Sequence, residues 1–306
     1  MSDDVTPLLQ VLARFGGVAR DLSELKRMRD QSTTDSVAER LFRSAWAGLE
    51  AGGDPLQVCV QITVDALVAT RLAGIDAALL QGMEVGPVAR NRILLASFDD
   101  ATSALSPAAI GALREAVGMV RGSSTQPLPL FVDALIRQPR AGATSPGKPR
   151  LALEPAESHG DHCLVVAVLG ALIALHTDAD PARVFLSGLA HHLHNAALPD
   201  TGFAGEVMLG DALVPLMQRL VRRELETVTP SLRVRIEDAL LPIVDADTPD
   251  GRAFNAADVI DRVLQAHHHG RAAAFTVDQA LGDLELVHES PLRGFHMDVL
   301  STLGLA

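Results

Sequence analysis

The stretch ESHGDHCLVVAVLGALIALHTDADPARVFLSGLAHHLHN, residues 157–195, decides the fold. Its apolar run from Leu164 to Leu175 is 12 residues long. A membrane span needs about 20 such residues, so this run predicts a helix buried in protein. Asp180-Pro181 then supplies an N-cap and a first-turn proline for a second helix, whose apolar positions recur at helical spacing from Pro181 to Asn195. Both segments have the helical period and neither has the alternation of a strand, which sets the class as all-α.

The same period extends outward from this pair. It predicts helices over Val37 to Leu49, Leu56 to Leu72, Ala89 to Leu105, Pro107 to Val120 and Leu128 to Ile136, with Ser106-Pro107 as a cap and first turn. Downstream it predicts Gly205 to Leu225, Pro230 to Val244 and Phe254 to His269, with Thr229-Pro230 as another start signal. Leu151 to Leu153 is the one short piece that reads as extended. Between the two helical halves, RQPRAGATSPGKPRLALEPAES, Arg137 to Ser158, carries four prolines and little periodicity, and reads as an ordered connector. The expected division is a helical region over 1–137 and a second helical domain over 138–306 that includes the connector.

Composition narrows the function classes. With 306 residues, 48% of them hydrophobic, and a mean hydropathy of +0.21, the chain has ample material for a core. Its net charge of −12 is uneven: residues 1–150 hold 16 basic and 16 acidic side chains, leaving 10 basic against 22 acidic in the remainder. An acidic half repels phosphate backbones, and nine Phe with one Trp and no Tyr offer few stacking platforms, so nucleic acid is not an expected partner. No membrane span is expected either. Cys59 and Cys163 form no CxxC pair, and the opening MSDDVTPLLQ has no basic segment before an apolar one. A reducing cytoplasm is the expected compartment.

All eleven histidines lie between His159 and His296. Three predicted helices concentrate metal-ligating types. His159 and His162 are three apart, His191 and His194 repeat that spacing with His192 beside them, and Asp258 and Asp261 repeat it again. Imidazoles suit zinc, iron, nickel and manganese, and a carboxylate from a separate helix completes an open coordination sphere. Helices converging on such a site are ordinary bundle architecture. His191, His192 and Asp258 also sit among apolar neighbours, where an uncompensated polar group is costly. The consecutive His267, His268 and His269 spread about 100° apart around a helix and read as helix-end residues favoured by the macrodipole. GxSxG, GxxxxGK[ST], HExxH and GxGxxG are absent.

The order of these motifs resembles the HD-domain superfamily of helical metal-dependent phosphohydrolases, over roughly residues 130–290. ESHGDHCLVVAV is similar to the E-H-S/T-x-x-V-A element, with His162 as the first ligand. GLAHHLHNAALPD is similar to the LLHDIGKIGIPD stretch of the HD-GYP branch, down to Pro199-Asp200, with His191-His192 at the doublet. NAADVIDRVL is similar to K-x-A-D-x-x-D-x-L, with Asp258 as the distant ligand. Arg140, in IRQPRAG, stands where nucleotidase-like members carry an arginine for the substrate phosphate. Two positions depart: His192 replaces the doublet Asp and Asn195 replaces a Lys, and the GYP motif is missing.

The resemblance implies a site of one or two divalent transition ions (Zn, Mn, Fe or Ni) held by His162, His191, His192 and Asp258. His194, Asp261 and Arg140 are the candidate catalytic groups, and Asp261, Glu206 and Asp211 are candidates to hold a second ion or to orient a ligand. Exchanging Asp for His removes a negative charge and favours a borderline metal over a hard one. The implied reaction is hydrolysis of a small phosphate-containing molecule or nucleotide, with Arg137, Arg140, Lys148 and Arg150 available to clamp the anion. Two alternatives stand beside it: an HD-like binding or regulatory protein without turnover, and a di-iron oxygenase. The N-terminal region is expected to cover the site or to make a homodimer.

Overall fold

The computed structural model describes residues 6–30, 34–119, 127–270, 276–283 and 285–306. The protein is all-α, and among the described residues the extended structure amounts to isolated bridges, one of which pairs Leu151 with Ala143. The helices of the N-terminal half are α1 (Thr6–Leu12), α2 (Gly16–Glu24), α3 (Val37–Glu50), α4 (Pro55–Leu72), α5 (Ala77–Gly82), α6 (Pro87–Ala101), α7 (Gly111–Glu115) and α8 (Leu130–Arg137). Past the connector come α9 (His159–Ala174), α10 (Pro181–Ala190), α11 (Gly202–Leu209), α12 (Leu213–Leu225) and α13 (Pro230–Ala239). The chain closes with α14 (Pro249–Gly270), α15 (Val277–Leu281) and α16 (Arg293–Thr302).

Helix α9 is the axis of the molecule. Every one of its residues is buried, as a helix that is apolar all round must be. It packs against α10 and α14 and also against α2, α3, α4 and α8, so helices from both halves enclose it. One hydrophobic cluster runs from Leu8 to Leu305. Its start is fixed by a capping box: Ser158 Oγ accepts from Asp161 N, and the Asp161 carboxylate accepts from Ser158 N. Asp180 caps α10, whose first residue is Pro181.

Helix α10 crosses α9 at Gly188, where an added Cβ would lie 2.4 Å from Ala167 Cα. That contact needs glycine, and it brings the end of α10 against the first turns of α9.

Several expected helices are shorter or split. The segment Pro181–Asn195 leaves the α-helix at Ala190, and a 3₁₀ turn covers Leu193–Ala196. Gly210, at φ +51°, divides Gly205–Leu225 into α11 and α12. Pro242 cannot extend α13 and opens a 3₁₀ turn, Pro242–Val244. Of Pro107–Val120 only α7 is α-helical, and Gly118 at φ +84° turns the chain beyond it; Val120 is outside the described residues. Helices α1, α2, α5, α15 and α16 lack a clear sequence signal, because short elements span too few turns to show a period. No helix among the described residues is long and apolar enough to cross a membrane.

Candidate metal centre

Three elements meet beside the α9–α10 crossing. His162 comes from the first turn of α9, His191 and His192 from the end of α10, and Asp258 from the middle of α14. One ring nitrogen of each histidine lies within 4.8 Å of those of the other two. His162 Nε2 is 3.1 Å from His191 Nε2 and 3.2 Å from Asp258 Oδ1, and His191 Nε2 is 4.0 Å from the same oxygen.

The far side of each ring settles which nitrogen carries the proton. His162 Nδ1 is 2.7 Å from the buried carboxylate oxygen Asp261 Oδ2, and His191 Nδ1 is 2.9 Å from the Gly188 carbonyl. Both partners only accept, so both Nδ1 atoms donate. His192 Nδ1 is 2.8 Å from Asn195 Oδ1, and Asn195 Nδ2 donates to the Leu198 carbonyl at 3.1 Å. The Leu198 bond fixes the amide orientation, and with it a donating Nδ1 on His192. With their Nδ1 atoms so engaged, Nε2 is the nitrogen that His162, His191 and His192 have left to offer a ligand.

His162 Nε2, His191 Nε2 and one carboxylate oxygen, Asp258 Oδ1, stand within 4.0 Å of one another. With both nitrogens unprotonated, such an arrangement is repulsive unless a cation is shared. A four-coordinate zinc with Zn–N near 2.0–2.1 Å places ligand nitrogens about 3.3 Å apart, which matches the 3.1 Å separation seen here. The donor set of three imidazoles and one carboxylate suits a borderline divalent ion, so the residues fit a metal.

Electrostatics keep these groups in ligating form. Burial, reinforced by neighbouring histidines, pushes His191 down to about 3 and His192 well below the usual imidazole range, so both are neutral. Burial works against ionisation of Asp258, but Arg262, with Nε 3.3 Å from Oδ2, and the adjacent His162 outweigh it and hold the carboxyl well below its ordinary value.

Asp261 is fully buried behind His162, away from the cavity. Its carboxylate is paired with Lys26, whose Nζ donates to Oδ2 at 2.8 Å and lies 2.6 Å from Oδ1. Lys26 Nζ also donates to Glu157 Oε2 at 2.9 Å, and Glu157 Oε1 accepts from Arg27 at 2.8 Å. Burial alone would lower the Lys26 pKa, but the two carboxylates raise it.

A cavity of about 320 Å³ opens in front of His191, His192 and Asp258, large enough for a small molecule. Arg140, His194, Glu206, Phe254, Arg262 and His288 line it. Arg140 has a buried Nη1 without a hydrogen-bond partner. Burial holds His194 down to about 4, and its ring is 5.6 Å from that of His192. Of the four connector cations, Arg140 alone lines this cavity. Arg150 instead binds the Ala141 and Thr201 carbonyls, Lys148 is exposed, and Arg137 borders a different cavity with Lys26 and Glu157. Glu206 lies on the exposed rim, whereas Asp211 is exposed and outside the lining. His267 Nε2 donates to the Leu305 carbonyl at 3.2 Å, and with His268 it borders another cavity.

His159 packs its ring 4.7 Å from that of His192, with both nitrogens buried and without a hydrogen bond, Nε2 lying 3.6 Å from Asp200 Oδ2. The sequence did not point to Lys26, to Glu157, to Arg262 or to the part Asn195 plays. Comparison of the chain with family models, with curated proteins and with solved structures finds no match.

Proposed function

We propose that this protein is a metal-dependent hydrolase of small phosphate-containing molecules, with one divalent ion held by His162, His191, His192 and Asp258. The observation that carries the reading is the convergence of His162, His191, His192 and Asp258, with each histidine Nδ1 held by a neighbouring acceptor and His162 Nε2 facing His191 Nε2 and Asp258. The HD-like order of ligands along the chain supports it independently.

A bound divalent cation supplies Lewis acidity toward a phosphoryl oxygen and lowers the pKa of water. The protein's own residues would do the rest. Three neutral imidazoles and one carboxylate leave a divalent ion with net positive charge, and Arg140 and Arg262 add two guanidiniums at the cavity, a combination that attracts an anion. Arg140, with its unpartnered Nη1, would orient a phosphate oxygen. His194 is neutral at pH 7 and faces the cavity, so it can carry a proton at a ring nitrogen between the leaving group and solvent. Phe254, with its ring 5.1 Å from that of His191, excludes water from one side.

The test is metal content and turnover on untagged protein. Zinc, manganese, ferrous iron and nickel are added back in turn, and release of phosphate is followed over a panel of phosphomonoesters and nucleotides. The expected result is one ion per chain, lost in His191→Ala and Asp258→Ala, with turnover that falls at least a hundredfold in Arg140→Ala. A stoichiometric ion without turnover on any ester favours a binding protein, two ions favour the di-iron alternative, and no ion after reconstitution refutes the metal site.

A further inference from the structure

Lysine is rare in this chain: it occurs twice, at Lys26 and Lys148, against 24 arginines. Lys148 is exposed on the connector, whereas the Lys26 side chain has no exposure at all. It comes from the turn after α2 and reaches a residue 235 positions away. Its Nζ straddles the Asp261 carboxylate at 2.6 and 2.8 Å, and Asp261 Oδ2 in turn holds His162 Nδ1 at 2.7 Å. On the other side Glu157 accepts from both Lys26 and Arg27. Two cations face two carboxylates in this network, and the ammonium is the counter-charge held against Asp261. A compact ammonium can sit between two carboxylates where a planar guanidinium would not fit, which explains lysine at this one buried site.

From this geometry we infer that Lys26 is a positioning residue for the metal centre: it acts through Asp261 to fix the ring and tautomer of His162, so the N-terminal half completes the site. The inference rests on the metal reading above for its consequence, but the hydrogen bond it concerns exists in the metal-free protein. Removing Lys26 leaves Asp261 buried without its counter-charge. With nothing gripping its two oxygens, the carboxylate is free to turn away from His162, and Nδ1 loses the acceptor that fixes its ring. Groups that orient metal-bound histidines typically alter affinity by 10- to 100-fold.

The test has two readouts on the full chain. Proton NMR of metal-free protein follows the downfield Nδ1–H resonance of His162, assigned by its loss in His162→Gln. Competition with a chromophoric chelator gives zinc affinity. In Lys26→Met the resonance should move upfield or vanish, and zinc affinity should fall at least about tenfold. In an Asp261→Asn background the same substitution should change affinity less than about twofold, because a residue acting through Asp261 has nothing left to act on. An unmoved resonance in Lys26→Met, or an equal loss of affinity in both backgrounds, overturns the inference. If Lys26→Met does not fold, Glu157→Gln removes one anchor of the ammonium and is read in the same way, with a smaller shift expected and an unmoved resonance again overturning it. Wild type that binds no zinc removes the metal reading, while the resonance still decides the part played by Lys26.

Discussion

Gly188→Ala is the sharpest single perturbation of the site that replaces none of its ligands. The added methyl would lie 2.4 Å from Ala167 Cα, 2.6 Å from Ala167 N and 2.9 Å from Ala167 Cβ. Comfortable carbon–carbon contact is about 3.5 Å or more, so α10 has to withdraw from α9 by about 1 Å. Two of the three contacts are with backbone, which has no rotamer to yield. Overpacking of this kind costs about 1–3 kcal/mol, and this case belongs at the upper end. Chains of about 150–250 residues shift by roughly 2–4 °C per kcal/mol and longer ones by less, so the melting temperature should fall by about 5 °C. His191 lies three residues beyond Gly188, so the same withdrawal stretches its 3.1 Å approach to His162 to about 4 Å, beyond the roughly 3.3 Å that a tetrahedral ion spans. Circular-dichroism melts and zinc competition measure the two effects together. Gly17→Ala is the control, since its added methyl meets nothing within 4 Å, and it should be neutral or stabilising by about 0.5–1 kcal/mol. A Gly188→Ala protein that melts within about 1 °C of wild type and keeps its zinc affinity would refute the claim that this crossing sets the ligand spacing.

Three further outcomes are expected. Burial lowers the pKa of both His194 and His296 to about 4, below the roughly 6.5 of an unfolded histidine. The unfolded chain then binds the extra protons, so the contribution is complete above pH 6.5 and is lost as pH falls toward 4, by about 1.4 kcal/mol per unit for each residue. Urea unfolding of the metal-free protein at pH 7, 5.5 and 4.5 measures this, and a flat profile would contradict it. Burial pushes the Cys59 thiol up to about 12 and raises Cys163 as well, so the native protein should be inert to a disulfide reagent at pH 8 and should react at both sites in guanidinium. Asp200 accepts from Ala141 N and Gly202 N, both at 2.9 Å, and so ties the connector to the start of α11. Asp200→Ala should speed amide exchange at Ala141 and leave zinc stoichiometry unchanged; loss of zinc would count against the ligand assignment.

The parts of this structure that could be read from sequence are those set by neighbours along the chain. The apolar run Leu164–Leu175 and the Asp180-Pro181 start place α9 and α10, and the three-residue spacing of Asp258 and Asp261 puts both on one side of α14. The same spacing says nothing about depth. Asp258 meets the cavity, whereas Asp261 lies under His162 and holds its ring. Gly188 sits in an apolar run whose pattern gives no hint that a backbone passes 2.4 Å from its missing side chain. Lys26 is harder still, because its partners lie 131 and 235 residues away and a lone lysine beside arginines ordinarily faces water.

That distance also orders events during synthesis. At about 5–20 residues per second, a ribosome that has made Lys26 needs roughly 10–50 s more to make Asp261. Until then the ammonium has half of its buried network at most, and His162 has no acceptor for its Nδ1 proton. The candidate metal centre can therefore form only after the segment carrying Asp258 and Asp261 has been made.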